Sequence, residues 1–373
     1  MTSIYIHIPF CIRKCNYCDF TSYSCVSEEG IEKYFKYLVK EIGMNPPKDE
    51  IESIFIGGGT PSFVDSKYIE EIFKVLKNYP WREDIEITLE ANPNSITPEK
   101  LKVYKNLGIN RISLGVQSFN EEILKKIGRV HKNSDTFATV KNVRAEGFKN
   151  LNLDLMLALP DQKMEDVEDS LKEIEKLNPE HISYYSLIIE PGTPMEKFFE
   201  EERFTFPGEE LDRKMYRKVV EGLKKLGYYQ YEISNFAKVG FESMHNLRYW
   251  KIKEYIGYGL SASSSVGECR YTNVDNFKEY FEMLDEGRLP QGFREKLTNI
   301  DRLHEYMIMG LRLNEGIDVE EAEKRFQIDL KKYYRDEIEK NLKYKTIKFE
   351  NNRIFLTEYG RDISNIVELD FMK

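Results

Sequence analysis

Three of the chain's five cysteines fall within eight residues, as Cys11, Cys15 and Cys18 in the run Pro9-Phe10-Cys11-Ile12-Arg13-Lys14-Cys15-Asn16-Tyr17-Cys18-Asp19-Phe20. Core cysteines are usually scattered, so three thiols this close point to a metal site. A structural zinc takes four closed ligands, ordinarily from two CxxC-like halves. Here only one half exists, and Cys25 or His7 would have to supply a fourth donor. An iron–sulfur cluster also takes thiolates, and three cysteines on a four-iron cluster leave one iron open for chemistry. Spacing alone leaves both possibilities standing.

Other polar residues stand where a core would not want them. Ile54-Phe55-Ile56 runs into Gly57-Gly58-Gly59-Thr60-Pro61. Such glycines let the backbone approach a ligand closely and leave N–H groups free for it, or simply turn a strand into a helix. Glu90 and Gln117 sit at the exits of two strand-like runs, and Asp154 sits inside an apolar one. A buried charge there needs a partner or a ligand. Arg129 closes a short helical stretch. Taken singly, each of these reads as part of an internal salt-bridge network or as a solvated rim residue.

The elements that must position these groups are legible as a pattern. From residue 2 to about 235, β-rich runs (3–8, 52–56, 85–89, 110–116, 151–157, 182–189 and 229–234) alternate with amphipathic helical stretches (28–42, 66–78, 98–107, 120–127, 135–147, 164–177 and 209–226). This alternation predicts an α/β fold with parallel strands and helices outside, and six or so units fit a full or partial β/α (TIM-like) barrel. In such barrels, functional residues collect at the C-terminal ends of strands. No GxGxxG follows the first strand, which argues against a dinucleotide site.

Residues 236–295 are less regular and read as a connecting segment. Residues 296–373 predict helices near 299–312, 318–325 and 329–341, a hairpin turning at Glu350-Asn351-Asn352, and a last helix from about Tyr359. Three helices and a hairpin suggest a small winged-helix-like domain. Ile300–Lys373 carries 14 Lys+Arg against 16 Asp+Glu, which is no phosphate-binding surface and excludes nucleic acid as the expected partner.

The whole chain of 373 residues has a net charge of −9, and its aromatic content is too high for global disorder. It contains no run of about 18 apolar residues, so no transmembrane segment is expected. Its N-terminus has no secretory pattern. A cytoplasmic location follows by default, and in a reducing compartment the cysteines are not a disulfide set.

Tyr5-Ile6-His7-Ile8-Pro9-Phe10 followed by CxxxCxxC resembles the radical S-adenosylmethionine (SAM) superfamily. More narrowly, it resembles the family of the heme chaperone HemW and the oxygen-independent coproporphyrinogen III oxidases, over nearly the whole chain. The resemblance implies a radical SAM barrel in which Cys11, Cys15 and Cys18 hold a 4Fe–4S cluster and SAM binds the fourth iron. Gly58, Gly59 and Thr60 match the family's GGGTP motif. Tyr5, Tyr17, Glu90, Gln117, Arg129 and Asp154 fall at cofactor-binding positions. The family chemistry is one-electron cleavage of SAM to a 5′-deoxyadenosyl radical, which needs an electron donor.

Two features separate the branches. The oxidases carry a fourth cysteine where this chain has Phe20, and a longer segment before the motif than the ten residues here. Both point toward HemW. So does His245-Asn246-Leu247-Arg248-Tyr249-Trp250, which matches that branch's HNxxYW motif. A lone histidine among aromatics is ordinarily a hydrogen-bonded packing residue. The match implies instead that His245, with Asn246, Tyr249 and Trp250, binds heme, since a neutral histidine is a good axial ligand and the rings offer flat apolar surface. The expectation is a heme carrier that delivers its cargo to acceptor hemoproteins. Radical SAM decarboxylation of coproporphyrinogen III, or a related tetrapyrrole reaction, is the alternative. Of the other histidines, His7 and His181 read as structural, and His131 and His304 as surface or loop residues. Cys25 reads as a free thiol and Cys269 as a small buried hydrophobe.

Overall fold

The computed structural model describes all 373 residues. Six strands, β1 (Thr2–Ile8), β2 (Ile51–Gly58), β3 (Trp81–Ala91), β4 (Arg111–Gln117), β5 (Asn150–Leu157) and β6 (His181–Ser186), lie side by side in chain order and pair in parallel. Helices connect them, as parallel pairing requires. The sheet does not close: β7 (Tyr229–Glu232) and β8 (Asn235–Ala237) add antiparallel strands beyond β6. Of the full or partial barrel that the alternation allowed, the structure holds the open, partial one. Ser234 sits in the tight turn between β7 and β8, where one continuous strand over 229–234 was expected.

The segment expected to connect is itself part of the sheet. Strand β9 (Tyr255–Tyr258) pairs in parallel with β1 on the side away from β2, and β10 (Ser263–Val266), β11 (Cys269–Asn273) and β12 (Gln291–Lys296) extend the sheet to twelve strands. Its serines and short runs carry no clean alternation, which is why the pattern was missed.

Period-two alternation decides the two faces. Ile4, Ile6, Ile54, Ile56, Ile87, Leu89, Ile112, Leu114, Leu151 and Leu153 point to the helices and join Phe35, Leu38, Ile72, Val143 and Val219 in a core of 53 buried residues. Apart from Phe55, the other face is largely polar: Ser3, His7, Ser53, Glu86, Thr88, Arg111, Ser113, Asn152 and His181 are all buried there. Strand register sets them in rows, Ser3 beside Ser53 and Ser113 beside Asn152 beside His181.

Helix ends follow the expected punctuation. Thr97 caps the helix Pro98–Leu107, with Pro at its first turn and Gly108 left-handed after it. The helix Pro194–Glu200, capped by Thr193, was not anticipated. Downstream, a second core of 15 buried residues gathers the helices Asn299–Leu311 and Val319–Phe326 around a small sheet of β13 (Ile317–Asp318), β14 (Ile347–Glu350) and β15 (Arg353–Leu356). The hairpin turns on Asn351 and Asn352, both at positive φ. The helix expected over 329–341 is two, Leu330–Tyr333 and Arg335–Lys343, broken at Tyr334, whose ring is buried in that core.

Candidate functional site

The C-terminal ends of the parallel strands open into a cavity of about 340 Å³. All three clustered cysteines line it. They lie on the irregular stretch after β1, which is tied down at several points. Cys11 N donates to Tyr23 O (3.0 Å), Asn16 N to Ile127 O (3.0 Å) and Cys18 N to Cys15 O (3.2 Å). No three His, Cys, Asp or Glu side chains converge as ligands of one metal ion would. The thiols line one wall of a cavity instead, an arrangement unlike a closed zinc site.

Polar partners meet two of the sulfurs. Thr60 Oγ1 donates to Cys11 Sγ (3.5 Å) and Arg129 Nη1 to Cys15 Sγ (3.5 Å). Arg129 also donates to Asn92 Oδ1 (2.5 Å) and to the Gly115 carbonyl, while its buried Nε has no partner. Burial pushes the Cys11 and Cys18 thiols up, and for Cys11 the Thr60 hydroxyl and the Arg129 charge work against that. A guanidinium beside these sulfurs favours the thiolate form a cluster requires.

The glycine turn works by close approach. A Cβ on Gly58, at φ +102°, would stand 2.5 Å from the His7 ring, and one on Gly59 would stand 2.8 Å from Ile8 O and Phe10 O. The expectation that these N–H groups are free for a ligand is corrected. Gly58 N donates to Glu90 Oε2 (3.2 Å), Gly59 N to Ile8 O (2.8 Å) and Thr60 N to Phe10 O (2.8 Å).

Opposite the cysteines, Glu90 and Asp154 line the same cavity. Desolvation, then the nearby Asp154 charge, pushes the Glu90 carboxyl up to about 8. Asp154 is pushed up by burial but accepts from Ser113 Oγ (3.0 Å) and Asn152 Nδ2 (2.7 Å). A half-neutral carboxyl pair suits a ligand that brings positive charge. Gln117 ends β4 with a positive φ of 67°, a strained conformation that re-aims its side chain toward Tyr185, whose hydroxyl donates to Gln117 Oε1 (3.3 Å).

Tyr17, Gly58, Gly59, Thr60, Gln117, Arg129 and Asn246 line the cavity as well. Tyr5 does not: its hydroxyl donates to His7 Nδ1 (2.9 Å), and His7 Nε2–H donates to Thr21 O (2.8 Å). Tyr5 and His7 therefore prop the cysteine loop from below. Sequence reasoning missed Asn92, Ser183, Tyr185, Ser234 and Asn235 on the wall. The signal for two of them was available, since Ser183 and Tyr185 alternate on β6 in register with Asp154 and Met156 of β5.

Of the remaining expected residues, His245 lies in the helix Met244–Trp250 and is 1% exposed. Its Nδ1 pairs with Ser53 Oγ (2.8 Å) and its Nε2 with Tyr249 Oη (2.8 Å). Burial, then Arg248 and Arg111, lowers its pKa to about 3, so it stays neutral. Both ring nitrogens are thus engaged, and neither is presented to an iron. Glu86 accepts from the Met244 and His245 N–H groups (3.1 Å each), and Arg248 pairs with Glu52, so the helix is bolted to β2 and β3. Trp250 stacks under the Arg312 guanidinium at 4.6 Å. His7, His181 and His131 are all buried, which corrects the surface expectation for His131. Cys25 is exposed and Cys269 half-buried rather than buried.

Known proteins bear on this geometry in three ways. Residues 5–174 match the model of the radical SAM superfamily, and residues 297–363 match that of the HemN C-terminal domain. The heme chaperone HemW of Bacillus subtilis is 36% identical over 98% of this chain and 98% of its own length. The heme chaperone HemW of Lactococcus lactis is 35% identical over 99% and 97%. Among solved structures, coproporphyrinogen III oxidase (HemN) from Escherichia coli, a radical SAM enzyme, superposes with a TM-score of 0.87 at 25% identity, over 99% of this chain and 89% of that one.

Proposed function

The chain belongs to the radical SAM superfamily and, within it, to the heme chaperone HemW family, and from that membership we propose that it holds a 4Fe–4S cluster on Cys11, Cys15 and Cys18, binds SAM beside it, and carries heme to acceptor hemoproteins. The observation that carries the reading is the single cavity in which three free thiols, the glycine turn, Arg129 and the Glu90–Asp154 pair face one another. The unpartnered Nε of Arg129 and the raised Glu90 carboxyl fit an occupant with both anionic and cationic groups. A reduced cluster with SAM on its open iron supplies one-electron cleavage of a carbon–sulfur bond.

The chain's own residues do the rest. Arg129 and Thr60 hold the thiol side, Glu90 and Asp154 receive positive charge, and Gln117 and Tyr185 wall the cavity toward β6. Phe20 is 66% exposed at the cavity's edge, where the oxidase branch has its fourth cysteine. The same reading divides the chain into 1–235, 236–295 and 296–373, the middle piece lending strands to the sheet. No helix is long and apolar enough to cross a membrane.

The test pairs two measurements on anaerobically purified protein. Ferric heme titration should give saturable binding, and incubation of reduced protein with SAM and coproporphyrinogen III should give no decarboxylated product. Decarboxylation coupled to SAM consumption would reject the carrier reading in favour of the oxidase. Stoichiometric zinc without iron or sulfide would reject the cluster.

A further inference from the structure

A second cavity, of about 710 Å³, lies between the open edge of the sheet and the C-terminal domain. That volume falls within the range of about 300–1,000 Å³ typical of small-molecule sites. It shares Tyr185 and Ser234 with the cysteine-lined cavity, so the two are neighbours across one wall. One side comes from β6 and the helix Glu209–Lys225, the other from Arg312 and the segment Tyr359–Ile366.

Its charges are not evenly matched. Four arginines line it against Glu209, Asp212 and Asp362. Asp212 and Asp362 are spent on Arg213 and Arg217. Arg361 has no carboxylate partner and donates only to the Leu356 carbonyl (3.2 Å). Arg312 has a single long pairing, 3.7 Å to buried Glu232.

Around Arg312 the polar groups are under-satisfied. Arg312 Nε, Glu232 Oε2, Asn235 Oδ1, Trp250 Nε1 and Glu368 Oε1 are all buried without a hydrogen-bond partner. Glu232 and Asn235 are 0% and 6% exposed. Arg312 is the one of these residues that lines the cleft, and its unpaired Nε calls for an explanation, since buried polar atoms are ordinarily paired. The rim, by contrast, is apolar and open: Ile188 is 69%, Ile366 61% and Tyr359 56% exposed. Exposed apolar side chains at a pocket's rim offer surface that an apolar ligand can cover.

We propose that this cleft is the cargo seat, taking a flat apolar macrocycle that carries two carboxylates. Arg361 and Arg312 receive the carboxylates, and Ile188, Tyr359 and Ile366 cover the ring. The assignment of heme as that macrocycle rests on the carrier reading above. The HNxxYW helix then acts from behind: Trp250 stacks on Arg312 and holds the guanidinium at the cleft wall. The cargo would sit one wall away from the SAM cavity.

The experiment titrates full-length protein with ferric heme and with its dimethyl ester, followed by Soret difference absorbance. Wild type should bind heme at least about tenfold more tightly than the ester, because charge-assisted hydrogen bonds are lost on esterification. Arg361→Gln should erase most of that preference while leaving ester binding near the wild-type level. Ile188→Glu and Ile366→Glu should weaken both ligands about tenfold. Both isoleucines are exposed, so these variants should melt like wild type. Arg312→Gln strands buried Glu232 and is not used as the deciding variant. If wild type binds heme and all three variants bind it equally well, the cleft is not the seat, although the carrier reading stands. If wild type binds no heme, the carrier reading fails and the seat with it.

Discussion

Glu90 is a side chain whose proton the fold holds on to. Its carboxyl is raised from an unfolded value of about 4.3 to about 8, and buried Glu41, held by Gly259 N, Tyr280 Oη and Asn273 Nδ2, is raised to about 7. Raised carboxyls bind protons more tightly in the folded state. Their contribution to stability is therefore complete at acid pH and is lost as pH climbs from about 4.5 to about 8. Ligand-free protein should melt at progressively lower temperature across that window, and Glu90→Gln should flatten the slope in thermal scans. A steeper slope in the variant would contradict the assignment. Because SAM brings positive charge, its affinity should rise with pH through about 8 in wild type, and calorimetric titration of Glu90→Gln should show a weaker, pH-flat affinity. His245 makes a different prediction. Two buried hydrogen bonds end on its ring, so His245→Ala should cost about 1–3 kcal/mol of stability, read by denaturant titration. The position of the bound-heme Soret band should not move; a shift would make His245 an iron ligand.

At the scale of elements, the glycine turn decides how β1 and β2 meet below the cysteine loop. Gly59→Ala puts a methyl against two backbone oxygens that cannot swing away. Gly58→Ala adds a positive φ to a clash with the His7 ring. Each should cost more than about 1 kcal/mol and lower iron retention, measured by melting and by iron per chain. Most of these elements could be read from the chain because period-two and period-3.6 patterns are local. The helix broken at Tyr334 could not, since what ends it is the burial of that ring in the C-terminal core rather than any Gly or Pro. Strands β9 to β12 are not legible for the converse reason: pairing holds them, β9 on β1 and each of the others on the strand before it, not their own sequence.

At the scale of the molecule, two main cores of unequal size share one chain with a small third cluster of six buried residues around Ile123 and Met156. The larger holds 53 buried residues and the C-terminal one 15. A domain of the latter size buries a smaller share of its surface and is marginal alone. Hydrogen exchange should therefore show residues 297–373 opening at lower free energy than β1–β6. Heme should slow exchange of the segment 359–366 if the cleft is occupied. Equal protection throughout would mean that the two cores unfold together.

The chain by itself determined the chemistry on offer. Three cysteines within eight residues lie together whatever the fold does, and alternation along each strand puts Glu90 or Asp154 on the polar face. It could not determine which polar residues meet, because that depends on register between strands and on loops far apart in sequence. Arg129 reaches Cys15 across 114 positions, and Ser53 closes off His245 across 192. His245 is the clearest case. Its motif promised an open ligand, but Ser53 of β2 took one ring nitrogen and Tyr249 of its own helix the other, while Trp250 came to rest on Arg312 at the edge of a cleft no local pattern announced.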